Sequence, residues 1–272
     1  MLEIIKQQLN SKMDRETKIN KVREFLQILI LKIIYDRGYF ARIAFEGGTA
    51  LRIIFDTRRF SEDLDFSLIE MKNWNFSKLT SNLKHEIDLR DLNCEMKLNK
   101  SRPVQSIFIK FPGLLHSLNL SNFPEQKISI KLEIDTSPPA GAKVTTSYVS
   151  KIYILNLTHL DLSSMFAKKL HACFFRDYIK GRDFYDLVWY LGKSIKPNFT
   201  LLNNAIKQTE TNIVMLNESN FKKFLLNKLK QIDFTKVKDD VKNFLQDQEE
   251  LKLLDLDLIK QSIEKIEFKG DS

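Results

Sequence analysis

Between Thr17 and Asp36 the apolar residues Val22, Phe25, Leu26, Leu29 and Ile33 recur at helical spacing, which predicts a helix over 17–36 with Thr17 as its cap. Gly38 is placed to end it. A short apolar run, Ile43 to Phe45, predicts a buried strand that Gly47-Gly48 breaks, and a helix is expected from Thr49 to Phe55. Asp56 to Phe60 reads as a basic, polar connection, and Leu64 to Ile69 as a second strand with Asp63 just ahead of it. Residues 76–90 suit another helix, followed by strands near Cys94 to Leu98 and Ser106 to Phe111. Lys127 to Ile134 alternates strictly: Ile128, Ile130, Leu132 and Ile134 fall on one face, and Lys127, Ser129, Lys131 and Glu133 on the other. Pro138-Pro139 and Gly141 impose a loop, and Ile152 to Leu155 reads as a short strand. From Thr158 onward the pattern is helical, with breaks near Gly181, Gly192 to Pro197 and Leu216 to Ser219. The change of pattern predicts an α+β chain of two domains, a mixed α/β domain over 1–156 and a helical one over 157–272. There is no internal repeat and no low-complexity tract.

Composition narrows the class. The chain has 272 residues, 43% of them hydrophobic, with only 8 glycines and 6 prolines, which fits a packed, helix-rich protein and excludes a disordered one. Its two cysteines, Cys94 and Cys173, are too few for a disulfide framework, and no CxxC or Cys/His cluster marks a zinc site. Met1 to Asn10 lacks the basic-then-apolar order of a signal peptide. The most apolar stretch, Phe25 to Tyr35, is interrupted by Gln27 and Lys32 and falls short of the roughly 20 residues a membrane span needs. A cytoplasmic protein with no membrane partner is expected. Net charge is +8 and unevenly placed. From Ile195 to the end, 13 lysines balance 13 acidic residues, so the first 194 residues hold 30 basic and 22 acidic ones. A basic excess there favours a polyanion such as a nucleotide or RNA, although it also serves solubility.

The chemistry-bearing residues concentrate in two places. In Phe45-Glu46-Gly47-Gly48-Thr49, two glycines between a strand and a helix let the backbone approach a ligand closely. The helix beginning there directs its N–H groups and dipole toward an anion. The Thr49 hydroxyl is expected either to cap that helix or to donate to a phosphate oxygen. In Ser61-Glu62-Asp63-Leu64-Asp65-Phe66, the i, i+2 spacing of a strand sets Asp63 and Asp65 on one face. Two aspartates so close repel each other unless a cation lies between them, and hard oxygen ligands suit Mg²⁺ or Mn²⁺. A phosphate-holding turn followed by two metal-binding carboxylates is what phosphoryl-group transfer needs. Glu133 is the best candidate for a third carboxylate, with Asp135 on the same face as the alternative.

The second place is Phe166 to Leu191. Lys169, Ala172 and Arg176 share a helical face, so Lys169 and Arg176 are candidates to hold nucleotide phosphates. Asp183 and Asp186 share a face of the next helix and are candidates to pair with Arg182 or Lys169, or to act on an attacking hydroxyl.

These residues resemble a known family. Glu46-Gly47-Gly48-Thr49-Ala50-Leu51-Arg52 with Arg59-Phe60-Ser61-Glu62-Asp63-Leu64-Asp65-Phe66 is similar to the first motif of the AbiEii/AbiGii toxin-like nucleotidyltransferases, of the polymerase-β-like nucleotidyltransferase superfamily. Lys169-Leu170-His171-Ala172, Arg176 and Arg182-Asp183-Phe184-Tyr185-Asp186-Leu187 are similar to its second conserved stretch. The resemblance implies a polymerase-β-like mixed sheet with helices, a helical C-terminal part, and transfer of a nucleoside monophosphate from an NTP. It implies metal binding by Asp63 and Asp65 and phosphate binding by Gly48 and Thr49, with Gly47 and Ser61 in the same motif. Lys169 is implied to contact the triphosphate and an acidic residue of the Arg-Asp-x-x-Asp stretch to be catalytic, Asp183 before Asp186. Many members are toxins with a cognate antitoxin, and some modify the 3′ end of tRNA, so RNA is the expected acceptor. A protein hydroxyl or a small molecule such as an aminoglycoside is the alternative acceptor, and a non-catalytic NTP-binding protein the alternative class. Lys168 stands where the family often has glutamate, and residues 195–272 match no motif.

Overall fold

The structure is a computed structural model describing residues 1–268. The chain divides into two compact units, the first formed by Met1–Asp56, Phe60–Pro138 and Thr145–His159, the second by Thr57–Arg59, Pro139–Val144 and the chain from Leu160 onward.

The first unit carries helices α1 (Leu2–Gln7), α2 (Arg15–Asp36), α3 (Gly47–Phe55), α4 (Phe76–Asp88) and α5 (Leu114–Ser117). Its strands are β1 (Ile43–Glu46), β2 (Leu64–Leu68), β3 (Glu95–Asn99), β4 (Val104–Pro112), β5 (Lys127–Asp135), β6 (Val144–Ser150) and β7 (Ile154–Leu160). They form one mixed sheet in the order β3-β4-β5-β2-β1-β7-β6. β2 runs antiparallel to β1 and parallel to β5, and β1 runs parallel to β7. The alternation read in β5 is realised, with Ile128, Ile130, Leu132 and Ile134 all buried. The rings of Phe45 and Phe66, on adjacent strands, lie 5.3 Å apart in the same core.

Among the differences from the expected elements, three have a clear local cause. α2 starts at Arg15, and its cap is Asp14, whose carboxylate accepts from the Thr17 N–H at 2.7 Å and the Thr17 hydroxyl at 3.0 Å. Thr17 is thus inside the first turn, as the partner of a better cap. β6 was not expected, because only Val149 of its seven residues is buried and an edge strand needs no apolar alternation. β7 runs on to Leu160 where a helix was expected from Thr158, since Asp161 caps the next helix by accepting from Ser164 N–H at 2.7 Å.

The second unit is helical: α6 (Leu162–Phe174), α7 (Gly181–Gly192), α8 (Phe199–Thr209), α9 (Glu218–Leu229), α10 (Phe234–Val241) and α11 (Leu256–Lys265), with short 3₁₀ turns. Phe166 stacks on Tyr190 at 4.5 Å and meets Phe221 edge-on at 6.3 Å, joining α6, α7 and α9 in one core. The mixed sheet with helices, followed by a helical part, is the architecture the sequence implied. No helix among the described residues is long and apolar enough to cross a membrane.

Candidate active site

In the first unit, the glycine turn and the carboxylate strand are built against each other. Gly47 has φ +78°, a conformation natural to glycine, and a Cβ added there would lie 2.5 Å from Oδ2 of Asp65. The bare Cα of Gly47 is therefore a seat for the Asp65 carboxylate. The Thr49 hydroxyl neither caps the helix nor reaches outward. It is fully buried and donates to the main-chain oxygen of Asp63, tying the first turn of α3 to the start of β2. Ser61 is fixed through its main-chain oxygen, which accepts from Gln27 Nε2 at 3.0 Å.

Register decides which further carboxylate joins them. Asp65 is paired with Glu133 on β5 and with Glu46 on β1, whereas Asp135 is paired with Ser67. Directly paired residues point to the same face, so Glu46, Asp65 and Glu133 form a row across three strands. Glu46 is buried and accepts from the Ser67 hydroxyl at 3.0 Å. Asp135 accepts from its neighbour Ser137 N–H at 2.9 Å. Lys131, two residues before Glu133, places Nζ 2.8 Å from a Glu133 oxygen. Burial opposes the Lys131 charge, but the hydrogen bond from Lys131 to Glu133 and the charges of Glu133, Asp63 and Asp65 outweigh it and raise the ammonium above the usual lysine range. With Glu133 turned to this lysine, no three His, Cys, Asp or Glu side chains among the described residues converge on a single metal position.

A Gly47→Ala variant follows directly from this geometry. The added methyl both strains the positive φ and displaces Asp65, so activity is expected to fall by about a hundred-fold or more and stability by roughly 1–3 kcal/mol. Steady-state kinetics and thermal unfolding of the purified variant check both, and an unimpaired Gly47→Ala enzyme contradicts the seat.

In the second unit, a buried charge cluster gathers residues from three segments. Arg59 grips Asp186 with two hydrogen bonds of 2.6 Å, one to each carboxylate oxygen. Lys169 on α6 reaches both acids of α7, at 2.6 Å from Asp183 and 2.8 Å from Asp186. Asp186 is 0% exposed and Arg59 2%. Two cations and two anions balance in the interior, as buried charge requires. Arg176 is looser, 3.5 Å from Asp183 with a side chain 41% exposed, and is the cation of this group that a ligand can reach. Arg182 lies over the Phe244 ring at 4.1 Å. Both cysteines are free and buried, and burial pushes the Cys173 thiol well up.

The tail that the sequence left without a reading holds this cluster together. Leu245 forms a β-bridge with Arg59, and Gln246 N–H donates to Arg58 O at 3.2 Å. Asp240 accepts from Gly181 N–H at 2.7 Å at the start of α7. A Cβ on Gly181 would stand 2.1 Å from Val237 O, so glycine is required for this approach.

Over residues 29–262 the chain matches the family described as nucleotidyl transferase AbiEii toxin, type IV toxin–antitoxin system. The chain belongs to the AbiEii nucleotidyl transferase toxin family. AbiEii membership makes it a nucleotidyltransferase, of a family of toxins from toxin–antitoxin systems. Two crystal structures share its fold. JHP933 from Helicobacter pylori is 21% identical, with 89% of this chain and 92% of that one covered at a TM-score of 0.53. A candidate nucleotidyltransferase from H. pylori is 19% identical, with 91% and 97% covered at a TM-score of 0.53. No curated protein sequence matches the chain.

Arg59 is a residue of this AbiEii chain whose role its local sequence does not show. It stands in a polar connection, where an arginine is ordinarily solvated, and only the fold reveals that it is buried on Asp186. The cluster also sets a pH response. Burial opposes the charges of Asp183 and Asp186, but Lys169 and, for Asp186, Arg59 hold both carboxyls below the ordinary value of 3.8. Their contribution to stability is therefore present above 3.8 and lost as pH falls through the lowered folded values. Lys169, raised above 10.5, contributes below that value and loses its part only as pH climbs through its folded value. Unfolding temperatures measured across pH are expected to fall steeply on the acid side, and Asp186→Asn is expected to flatten that limb.

Proposed function

We propose that the chain transfers a nucleoside monophosphate from an NTP to RNA, with tRNA as the acceptor, and acts as the toxin partner of a cognate antitoxin. The observation that carries the chemistry is the seating of Asp65 against Gly47, in register with Glu133 and one residue from Asp63. Asp63, Asp65 and Glu133 are the residues that would hold Mg²⁺ or Mn²⁺. Their carboxylate oxygens are the donors that a hard divalent ion takes, but Glu133 is turned to Lys131 and no three acidic side chains among the described residues converge on one position. Such an ion supplies charge neutralisation of the triphosphate and polarisation of the phosphorus.

The protein's own groups do the rest. Main-chain N–H groups of the first turn of α3, around Gly47, Gly48 and Thr49, have no acceptor within the helix and suit phosphate oxygens. Ser61 belongs to the same binding segment. Arg176, the exposed cation of the second unit's cluster, suits an anionic group such as a phosphate, while Lys169 is engaged by Asp183 and Asp186. In the reaction the acceptor hydroxyl oxygen bonds to the α-phosphorus, the bond to the bridging oxygen breaks, and pyrophosphate leaves. The hydroxyl proton is lost to solvent. Asp183, held below the usual carboxylate range, orients Lys169 and Arg176 and is a weak base. Asp186, with both oxygens held by Arg59 and Lys169, is a positioning residue.

Two features support RNA over a protein acceptor. The basic excess lies in the first 194 residues. In the second unit, half-exposed rings of His171, Phe175 and Phe224 stack in sequence, at 5.5 Å and 5.9 Å, with Lys228 over the last two. Stacked aromatics with interleaved cations suit unpaired bases. Incubation with tRNA, each labelled NTP and Mg²⁺ tests the reading, and label is expected on RNA. Label on protein or on a small molecule instead would replace the acceptor, and transfer unaffected by Asp63→Ala would overturn the assigned site.

A further inference from the structure

We propose that Phe108, with Lys97 and Lys110 beside it, is the surface that receives the unpaired end of the RNA acceptor, the ring stacking on the terminal base. The proposal rests on the reading of RNA as the acceptor and of the turn of Gly47, Gly48 and Thr49 as the seat of the triphosphate. It adds the place where the RNA lies.

The sheet makes the surface. Along β4, Ile107, Ile109 and Phe111 are buried in the core, so Phe108 and Lys110 stand on the opposite face. Register extends that face sideways. Phe108 pairs with Lys97 on β3 and with Lys131 on β5, and Lys110 pairs with Glu95 and Ser129. Directly paired residues share a face. Glu133, paired with Ser106 on one side and Asp65 on the other, carries the same face on to β2. The Phe108 side of this face is open, the residue being 37% exposed. Nζ of Lys131 lies 5.5 Å from the centroid of the Phe108 ring and 2.8 Å from a Glu133 oxygen. The ring therefore stands one side chain away from the row of Glu46, Asp65 and Glu133.

Charge on this face favours a polyanion. Its acids nearest the ring are already answered, Glu95 by Lys127 at 2.7 Å and Glu133 by Lys131. Lys97 and Lys110 make no ion pair among the described residues. An exposed ring bordered by ammonium groups is the chemistry that holds unpaired bases, since the ring accepts the face of any base and the lysines accept the backbone.

In-line geometry assigns the surface to the acceptor and not to the NTP. The glycine turn follows β1, and β4 lies on the far side of β2 and β5 from it. In phosphoryl-group transfer the attacking and leaving oxygens are roughly in line through the phosphorus. Pyrophosphate held at the turn leaves toward β1. The attacking hydroxyl then enters over β5 and β4, where Phe108 stands.

The test is steady-state transfer of labelled nucleotide to tRNA by the full chain, with tRNA and NTP varied separately. Phe108→Ala is expected to raise the KM for tRNA by about ten-fold, the effect of losing one stacked base, and to leave the KM for the NTP within about two-fold of the parent. Phe108→Trp, which keeps an aromatic face, is expected to hold the parental KM for tRNA. Lys97→Ala combined with Lys110→Ala is expected to weaken tRNA binding and to flatten its dependence on salt. Phe108→Leu, which keeps apolar bulk without the ring, serves if the alanine variant does not fold. An unchanged KM for tRNA in the alanine and leucine variants, with label still on RNA, overturns this surface alone. A raised KM for the NTP with that for tRNA unchanged assigns the ring to the nucleotide and overturns the proposal. Absence of label from RNA overturns the acceptor reading and this proposal with it.

Discussion

Asp65→Asn is expected to lower the rate of nucleotidyl transfer by on the order of 10³-fold, equivalent to roughly 4 kcal/mol of barrier, while the folded structure persists. The substitution preserves shape, so the seat on Gly47 remains filled, but it removes one unit of negative charge from the row that faces Glu133. Charge stabilisation is the principal means of catalysing phosphoryl-group transfer, since the protein forms few covalent bonds in such reactions. The loss should therefore appear in kcat more than in KM for the NTP. Single-turnover transfer of labelled nucleotide, beside a thermal unfolding curve, separates a chemical defect from a folding one. An Asp65→Asn enzyme with more than about a tenth of parental activity is incompatible with the assigned role.

Arg59→Ala is expected to cost stability on a scale that few single substitutions reach. The guanidinium is 2% exposed and makes two short bonds to a carboxylate that is 0% exposed. Removing one partner of a buried pair leaves the other charge in the interior and typically costs about 3–5 kcal/mol. Lys169 remains beside Asp186 but already serves Asp183, so two acids would share one ammonium. Arg59→Lys keeps the charge and loses the two-pronged grip, so an intermediate loss is expected. Replacing both partners, Arg59→Met with Asp186→Leu, removes the unpaired charge and should recover much of the stability without recovering activity. Urea unfolding of the three variants reads this order. Equal stability of Arg59→Ala and the parent would show that the pair contributes little.

Much of the site was legible because its signals are local. Gly47-Gly48-Thr49 marks a strand-to-helix turn by composition alone, and Asp63-Leu64-Asp65 marks a shared face by the period of a strand. Lys127 to Asp135 declared its buried face through four alternating aliphatic residues. Local signals misled where a residue had two chemically sensible uses. Thr49 had the chemistry of a cap or a phosphate donor, and the fold uses its hydroxyl on Asp63 O. Thr17 looked like a cap because the better one, Asp14, stands three residues earlier. β6 escaped because an edge strand with one buried residue carries no periodic pattern.

The sequence by itself determined the elements, the reaction class and the pairs of residues that a short stretch of chain brings together. Periodicity and spacing are consequences of bond geometry, so they need no knowledge of the fold. Tertiary structure decided everything that depends on distant residues becoming neighbours. It set Asp65 opposite Glu133 and Asp135 opposite Ser67, because strand register is fixed by the packing of the whole sheet. It drew Arg59 onto Asp186 across 127 residues, and closed Leu245 and Gln246 of the tail over Arg58 and Arg59. It also placed Lys131 among the carboxylates, where one strand's pattern shows only a polar side chain. Charge acts through space with no memory of position along the chain, and for that reason the cation partners of these acids became visible only once the chain was folded.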